Sequence, residues 1–159
     1  MTVFIDATVI VAAVIGGPLH EPCRRLLFEI AAGQVAATSS TRAIEDVWLI
    51  ESDPVHLLSP GTAADAFEVF PEIIGIDEWV MQSAFTLAAA HVDNGVVGPT
   101  HLIHAATCRV YRLDSIVSTD AAYDHFNWLR RIEPDPAGVD GLSKASRTSR
   151  LEPSTASRS

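Results

Sequence analysis

"HAATCRVYRLDSIVSTDAAYD", His104 to Asp124, holds a helix, a strand and three acids in one short stretch, two of them beyond the strand. The run His104-Ala-Ala-Thr107, extended back to Thr100 and on to Arg112, has the composition of a helix, with Gly98-Pro99 marking its start and Thr100 its cap. Ser115-Ile-Val-Ser118 then reads as a buried strand, and Asp120 follows directly beyond its carboxyl end. Asp124 comes four residues later, on the same side if the segment turns helically. In open α/β sheets that edge is where ligands bind.

The same sentence of strand, acid and helix opens the chain. Val3-Phe4-Ile5 is a strand ending at Asp6, and Thr8 caps an apolar helix running to Ile15, stopped by Gly16-Gly17-Pro18. An amphipathic helix over 20–33 leads to a strand over 35–38 and a helix from Ser40 to Ile50. Further helices are expected over 62–70 and 77–92, with strands at 73–76 and 130–132. Strands alternating with helices imply an α/β chain with a mainly parallel sheet covered on both faces. From Asp135 onward aromatics vanish and Ser, Thr, Pro and Arg dominate, so 1–134 reads as the folded domain and 135–159 as a disordered tail.

Charge narrows the function. The net charge is −9, and up to Pro134 there are 17 acids against seven arginines. So acidic a body does not hold nucleic acid through a broad basic face. It suits a metal site, a basic protein partner, or solubility. No apolar run approaches the roughly 20 residues of a membrane span, and the opening residues do not resemble a signal peptide. Cys23 and Cys108 lie singly in apolar helical patterns and read as reduced core thiols of a cytoplasmic protein.

The acids gather at one sheet edge. Asp6 and Asp120 end strands, and Glu45 lies one turn into the helix after the second strand, able to reach back over that edge. Crowded carboxylates repel unless a cation compensates them. Oxygen-only donors of this kind suit Mg²⁺ or Mn²⁺, which can activate water against a phosphodiester. Two other chemistries that place an aspartate after the first strand, the receiver domain and the haloacid-dehalogenase phosphatase, both use a lysine near the phosphoryl group. Here the sole lysine is Lys144, in the tail, and Thr8 stands where the phosphatase needs a second aspartate.

With these residues in place, the chain from Thr2 to Ile132 resembles the PIN-domain family and, within it, the VapC-type ribonuclease toxins. Phe4-Ile-Asp6-Ala-Thr8 resembles the family's opening, Glu45 falls at its second acid, and His104 to Asp124 resembles its closing half. The resemblance implies a three-layer α/β/α sandwich and a divalent-metal-dependent endoribonuclease acting on structured RNA, with an antitoxin partner and a homodimer. It implies Asp6, Glu45 and Asp120 as metal ligands, Asp124 as an auxiliary one, and Thr8 and Ser118 as hydroxyls that position ligands or phosphate. RNA would be held through cations and arginines, among them Arg24, Arg25 or Arg42.

The sequence departs from the family at His101, which stands where the third acid belongs, and at Arg112, where a helix-ending glycine is usual. Three roles for His101 stay open: a metal ligand, a catalytic ring replacing the acid in water activation or leaving-group protonation, or the mark of a weakened protein that binds RNA or an antitoxin without cutting. His104 reads as a structural residue packing near the site, and His20, His56, His91 and His125 as structural.

Overall fold

The structure is a computed structural model and describes residues 1–55, 58–91 and 95–151. Val3–Ile5 forms β1, the middle of a five-stranded sheet with β2 (Ala37–Ser40), β3 (Ile73–Ile74), β4 (Ser115–Val117) and β5 (Arg130–Ile132). The order is β3-β2-β1-β4-β5 and every pairing is parallel, with Phe4 in register with Thr38 on one side and Ile116 on the other.

Alternation along the central strands builds the layers. Val3, Ile5 and Val117 join one apolar cluster, with Cys23, Leu26 and Ile30 of α2 (His20–Ala31) and Val47 of α3 (Thr41–Ser52). Phe4 and Ile116 point the other way, into a cluster with α5 (Glu78–Ala90) and α6 (Pro99–Val110). Helices α1 (Ala7–Ile15) and α4 (Thr62–Val69) complete the first side. This is the three-layer α/β/α sandwich. Cys23 and Cys108 are free thiols in separate clusters, with the sheet between them. Among the described residues no helix is long and apolar enough to cross a membrane.

Several local expectations shift. β2 begins two residues later than its apolar run because Thr38, Ser39 and Ser40 are buried hydroxyls with partners: Ser39 donates to the Ile5 carbonyl at 2.9 Å, Thr38 to that of Glu72 at 3.0 Å, and Ser40 caps α3 at Ala43 N–H. The cap of α1 is Asp6 rather than Thr8, and that of α6 is Gly98 rather than Thr100, with Pro99 in the first helical position, where its missing N–H costs nothing. After α6 the chain closes a Schellman motif: Leu113 N–H reaches the Cys108 carbonyl at 2.8 Å and Arg112 N–H that of Arg109 at 3.3 Å. Arg112 takes φ 56°, the left-handed conformation for which glycine is the usual choice. His56 and Val92 lie outside the described residues.

The tail expectation is corrected up to residue 151, and its remainder, 152–159, lies outside the described residues. Residues 136–151 form α7 (Pro136–Leu151), and Val139 and Leu142 are buried in the same core as Cys23 and Leu26. Two apolar side chains three residues apart suffice to dock a helix whose overall composition is polar. Asp135 caps its start at Gly138 N–H, 2.7 Å away, and Asp140 pairs with Arg25 of α2. Gly138 is fixed by space: a Cβ there would lie 2.0 Å from the Glu133 carbonyl oxygen, whereas one at Gly141 would meet nothing within 4 Å.

Two substitutions therefore have opposite signs. Gly138→Ala should destabilise the protein by about 1–3 kcal/mol through overpacking against backbone. Gly141→Ala should stabilise it by about 1 kcal/mol through helix propensity. Urea denaturation of the two variants checks both; a disordered tail would leave both unchanged.

Candidate active site

The carboxyl edge of β1 and β4 carries a buried carboxylate held from four directions. Asp6 Oδ2 accepts from Thr8 Oγ1 and Ser118 Oγ, each at 2.7 Å. Its Oδ1 lies 3.1 Å from His104 Nδ1 and accepts from the Tyr123 hydroxyl at 3.4 Å. The two hydroxyls are themselves oriented: Thr8 Oγ1 accepts from Thr119 N–H at 3.2 Å and Ser118 Oγ from Asp120 N–H at 3.0 Å. Burial pushes the Asp6 carboxyl up, but His104, Ser118 and Thr8 together outweigh it and hold it at about 2. Thr8 and Ser118 thus act on Asp6 itself.

Of the adjacent acids on α3, Asp46 and not Glu45 lines the cleft with Asp6. Glu45 turns away: its side chain is 53% exposed, pairs with Arg42 at 3.2 Å, and lines a separate apolar groove beside Trp48 and Phe67. Its neighbour Asp46 faces the site, 16% exposed, because adjacent helical residues point about 100° apart and only one of them can address the sheet edge. Asp46 Oδ1 pairs with Arg42 at 2.8 Å. Asp46 Oδ2 and His104 Nε2 are buried with no hydrogen-bond partner among the described residues, and they face one another at 3.7 Å. Burial raises the Asp46 carboxyl, with Arg42 and His104 opposing.

His101 stands between α6 and the β4 exit. Its Nδ1 accepts the Gly98 N–H at 2.9 Å, which leaves the ring proton on Nε2, and that N–H donates to Asp120 Oδ2 at 2.8 Å. The ring meets the Tyr123 ring edge-on, with centroids 5.3 Å apart. Both ring nitrogens are thus engaged in hydrogen bonds. Asp120 Oδ1 accepts from Ala122 N–H at 2.8 Å. Burial pushes the Asp120 carboxyl up, yet the Ala122 amide and His101 bring it below the ordinary value.

Asp124 is also displaced from its expected role. It forms a two-pronged pair with Arg131 at 2.9 and 3.1 Å, half-exposed and outside the cleft, and Arg131 draws its carboxyl down. Of the candidate arginines, Arg42 borders the site, reaching Thr100 Oγ1 at 3.3 Å, while Arg24 and Arg25 lie on α2 at a different groove.

Asp6, Asp46, His101 and Asp120 share one cleft of about 660 Å³. Its acidic end continues into an apolar trough formed by Val11, Ala12, Ile15, Leu49 and Ile50. Carboxylate oxygens are the right donors for a hard divalent cation, and the unpartnered Asp46 Oδ2 is one such oxygen held ready. The donor set therefore fits Mg²⁺ or Mn²⁺ in kind. Among the described residues, however, no three His, Cys, Asp or Glu side chains stand close enough together to form a ready-made ligand cluster. Sequence reasoning missed Asp46, and it read His104 near the site only as packing, without its contacts to Asp6 and Asp46. The adjacent acid pair Glu45-Asp46 was the available signal for Asp46.

No protein-family model and no curated protein sequence matches the chain. Solved structures do. The chain resembles the crystal structure of VapC20 from Mycobacterium tuberculosis, described as a sarcin–ricin loop cleaving toxin, at 12% identity and TM-score 0.61, over 77% of this chain and 93% of that one. It resembles FitAcB from Neisseria gonorrhoeae at 17% identity and TM-score 0.59, over 84% and 98%. VapBC2 from Rickettsia felis, solved bound to a DNA fragment from the promoter, matches at 13% identity and TM-score 0.61, over 82% and 97%. The chain shares their fold, a PIN-like α/β/α sandwich.

The Asp6 cradle makes stability pH-dependent with a fixed sign. A carboxyl held below its ordinary 3.8 contributes stability above pH 4 that is lost as pH falls through about 2. The contribution is on the order of 2 kcal/mol. Acid unfolding followed by circular dichroism should show a shallower loss between pH 4 and 2 in Asp6→Asn than in the wild type.

Proposed function

We propose that this protein is a divalent-metal-dependent endoribonuclease of the VapC type, the toxin of a toxin–antitoxin pair, acting in the cytoplasm. One observation carries this: carboxylates from the end of β1, from α3 and from the loop after β4 meet in one cleft, and a buried Asp46 oxygen has no hydrogen-bond partner among the described residues. Likeness in fold to VapC20, a toxin that cleaves the sarcin–ricin loop, supports RNA as the substrate.

In this reading Asp6, Asp46 and Asp120 hold Mg²⁺ or Mn²⁺, which supplies Lewis acidity to a phosphodiester. Thr8, Ser118 and Tyr123 fix the Asp6 oxygens, so the anchor carboxylate needs no reorganisation when RNA arrives. Arg42, at the rim between Asp46 and Thr100, offers a guanidinium to the RNA backbone. An antitoxin segment with apolar residues and an arginine suits the trough, since the acidic end would receive the guanidinium. A homodimer belongs to this reading as well.

A second reading is favoured by one feature, the engagement of Asp120 by His101. In it the protein binds RNA or antitoxin and cuts nothing.

Cleavage of a mixed RNA pool in Mg²⁺, Mn²⁺ and EDTA decides between them. Wild type should cut only with a divalent ion, and Asp6→Asn and Asp46→Asn should each lower the rate by about a hundredfold or more. Glu45→Gln should stay within about threefold of wild type, as expected of a surface residue outside the cleft. The reverse ranking of Asp46 and Glu45 would sink the ligand assignment, and no cutting by the wild type would leave the binding reading.

A further inference from the structure

We infer that His101 is a latch: it keeps Asp120 engaged by a hydrogen bond, so the protein binds a divalent cation weakly and must break that bond to do so. This rests on the cleft assigned above and concerns how this chain's own residues meet the cation.

The latch is built from the start of α6. Gly98 caps that helix without a side chain, and Pro99 follows, so the cap's own N–H turns to the residue three positions on. His101 Nδ1 takes that N–H at 2.9 Å, as the third helical residue does in a capping box. The ring is thereby anchored, and its edge-on contact with Tyr123 fixes the plane. Nε2–H then points at Asp120 Oδ2 from 2.8 Å, while Ala122 N–H occupies Oδ1. Both oxygens of Asp120 are engaged before any cation arrives.

A histidine rather than an acid at 101 also changes what the cleft requires. A carboxylate at 101 would add a negative charge beside Asp120 and near Asp6, and like charges that close need a counter-ion. A histidine supplies a donor instead. Asp6 has Thr8, Ser118 and Tyr123, and Asp120 has His101, so these two acids are matched from within the protein, while Asp46 has Arg42 at one oxygen only.

The test measures Mn²⁺ affinity without RNA, by electron paramagnetic resonance of free Mn²⁺, in the wild type and in His101→Ala, His101→Asp and Asp46→Asn/His101→Asp. Removing the latch should tighten binding several-fold in His101→Ala, and adding a ligand should tighten it by about ten- to a hundredfold in His101→Asp. The double variant should lose that gain, which locates the ion in this cleft. Without metal, His101→Asp should melt lower than the wild type, and Mn²⁺ should raise its melting temperature more than it raises the wild type's. If His101→Ala binds no tighter than the wild type while His101→Asp does, the histidine is merely a missing ligand and the latch is refuted. Equal affinity in wild type and His101→Asp refutes it too, as does binding by none of the variants. If His101→Asp takes up Mn²⁺ as expected yet cuts no RNA, the nuclease reading fails and the latch stands.

Discussion

Everything at the carboxyl edge depends on burying one negative charge. Asp6 sits at the end of the central strand, almost wholly removed from water, where an unpaired carboxylate would be severely penalised. Its oxygens are met by side chains from α1, the β4 exit, α6 and the turn that follows β4. Each of those donors has a place only if its own element is in register. Thr8 and Ser118 must come within reach of one oxygen, which ties the first turn of α1 to the end of β4. The Tyr123 hydroxyl can reach the other only if the short turn at Ala121–His125 folds back under α6. The charge is costly, and satisfying it aligns four elements.

That coupling explains why so much was legible in the sequence. An aspartate directly after a strand, repeated at Asp6 and Asp120, is visible without coordinates, and so is the hydroxyl that accompanies each. The alternation of strands and helices gives the parallel sheet, and Phe4 between Val3 and Ile5 already implies helices on both faces. Arg112 was visible as an anomaly and is found in the left-handed conformation its position implies.

What escaped was decided by rotation and by small contact areas. Glu45 and Asp46 are adjacent on α3, and a helical phase of 100° separates the one in the cleft from the one outside it. Sequence alone does not fix that phase, because Ala43 and Val47 define a buried stripe that both acids flank. Asp124 was drawn away by Arg131, a residue on β5 whose proximity comes from sheet order rather than spacing. His104 looked like packing and is packing, fully buried, but between Asp6 and Asp46. Helix α7 was hidden by composition, since Val139 and Leu142 are few among its polar residues yet both reach the core.

The strand order also sets when the cleft comes into being. β1 is the first strand made, but its partner β4 comes late, and the bond from Ser118 to Asp6 spans 112 residues. Until that later strand is in place, Asp6 lacks Ser118 and Tyr123 and the cleft lacks Asp120. A chain cut short before Ser115 would keep Asp6, Asp46 and His104 but lack Ser118, Asp120 and Tyr123. The topology therefore assembles the cleft only when strands far apart in the sequence have been brought side by side.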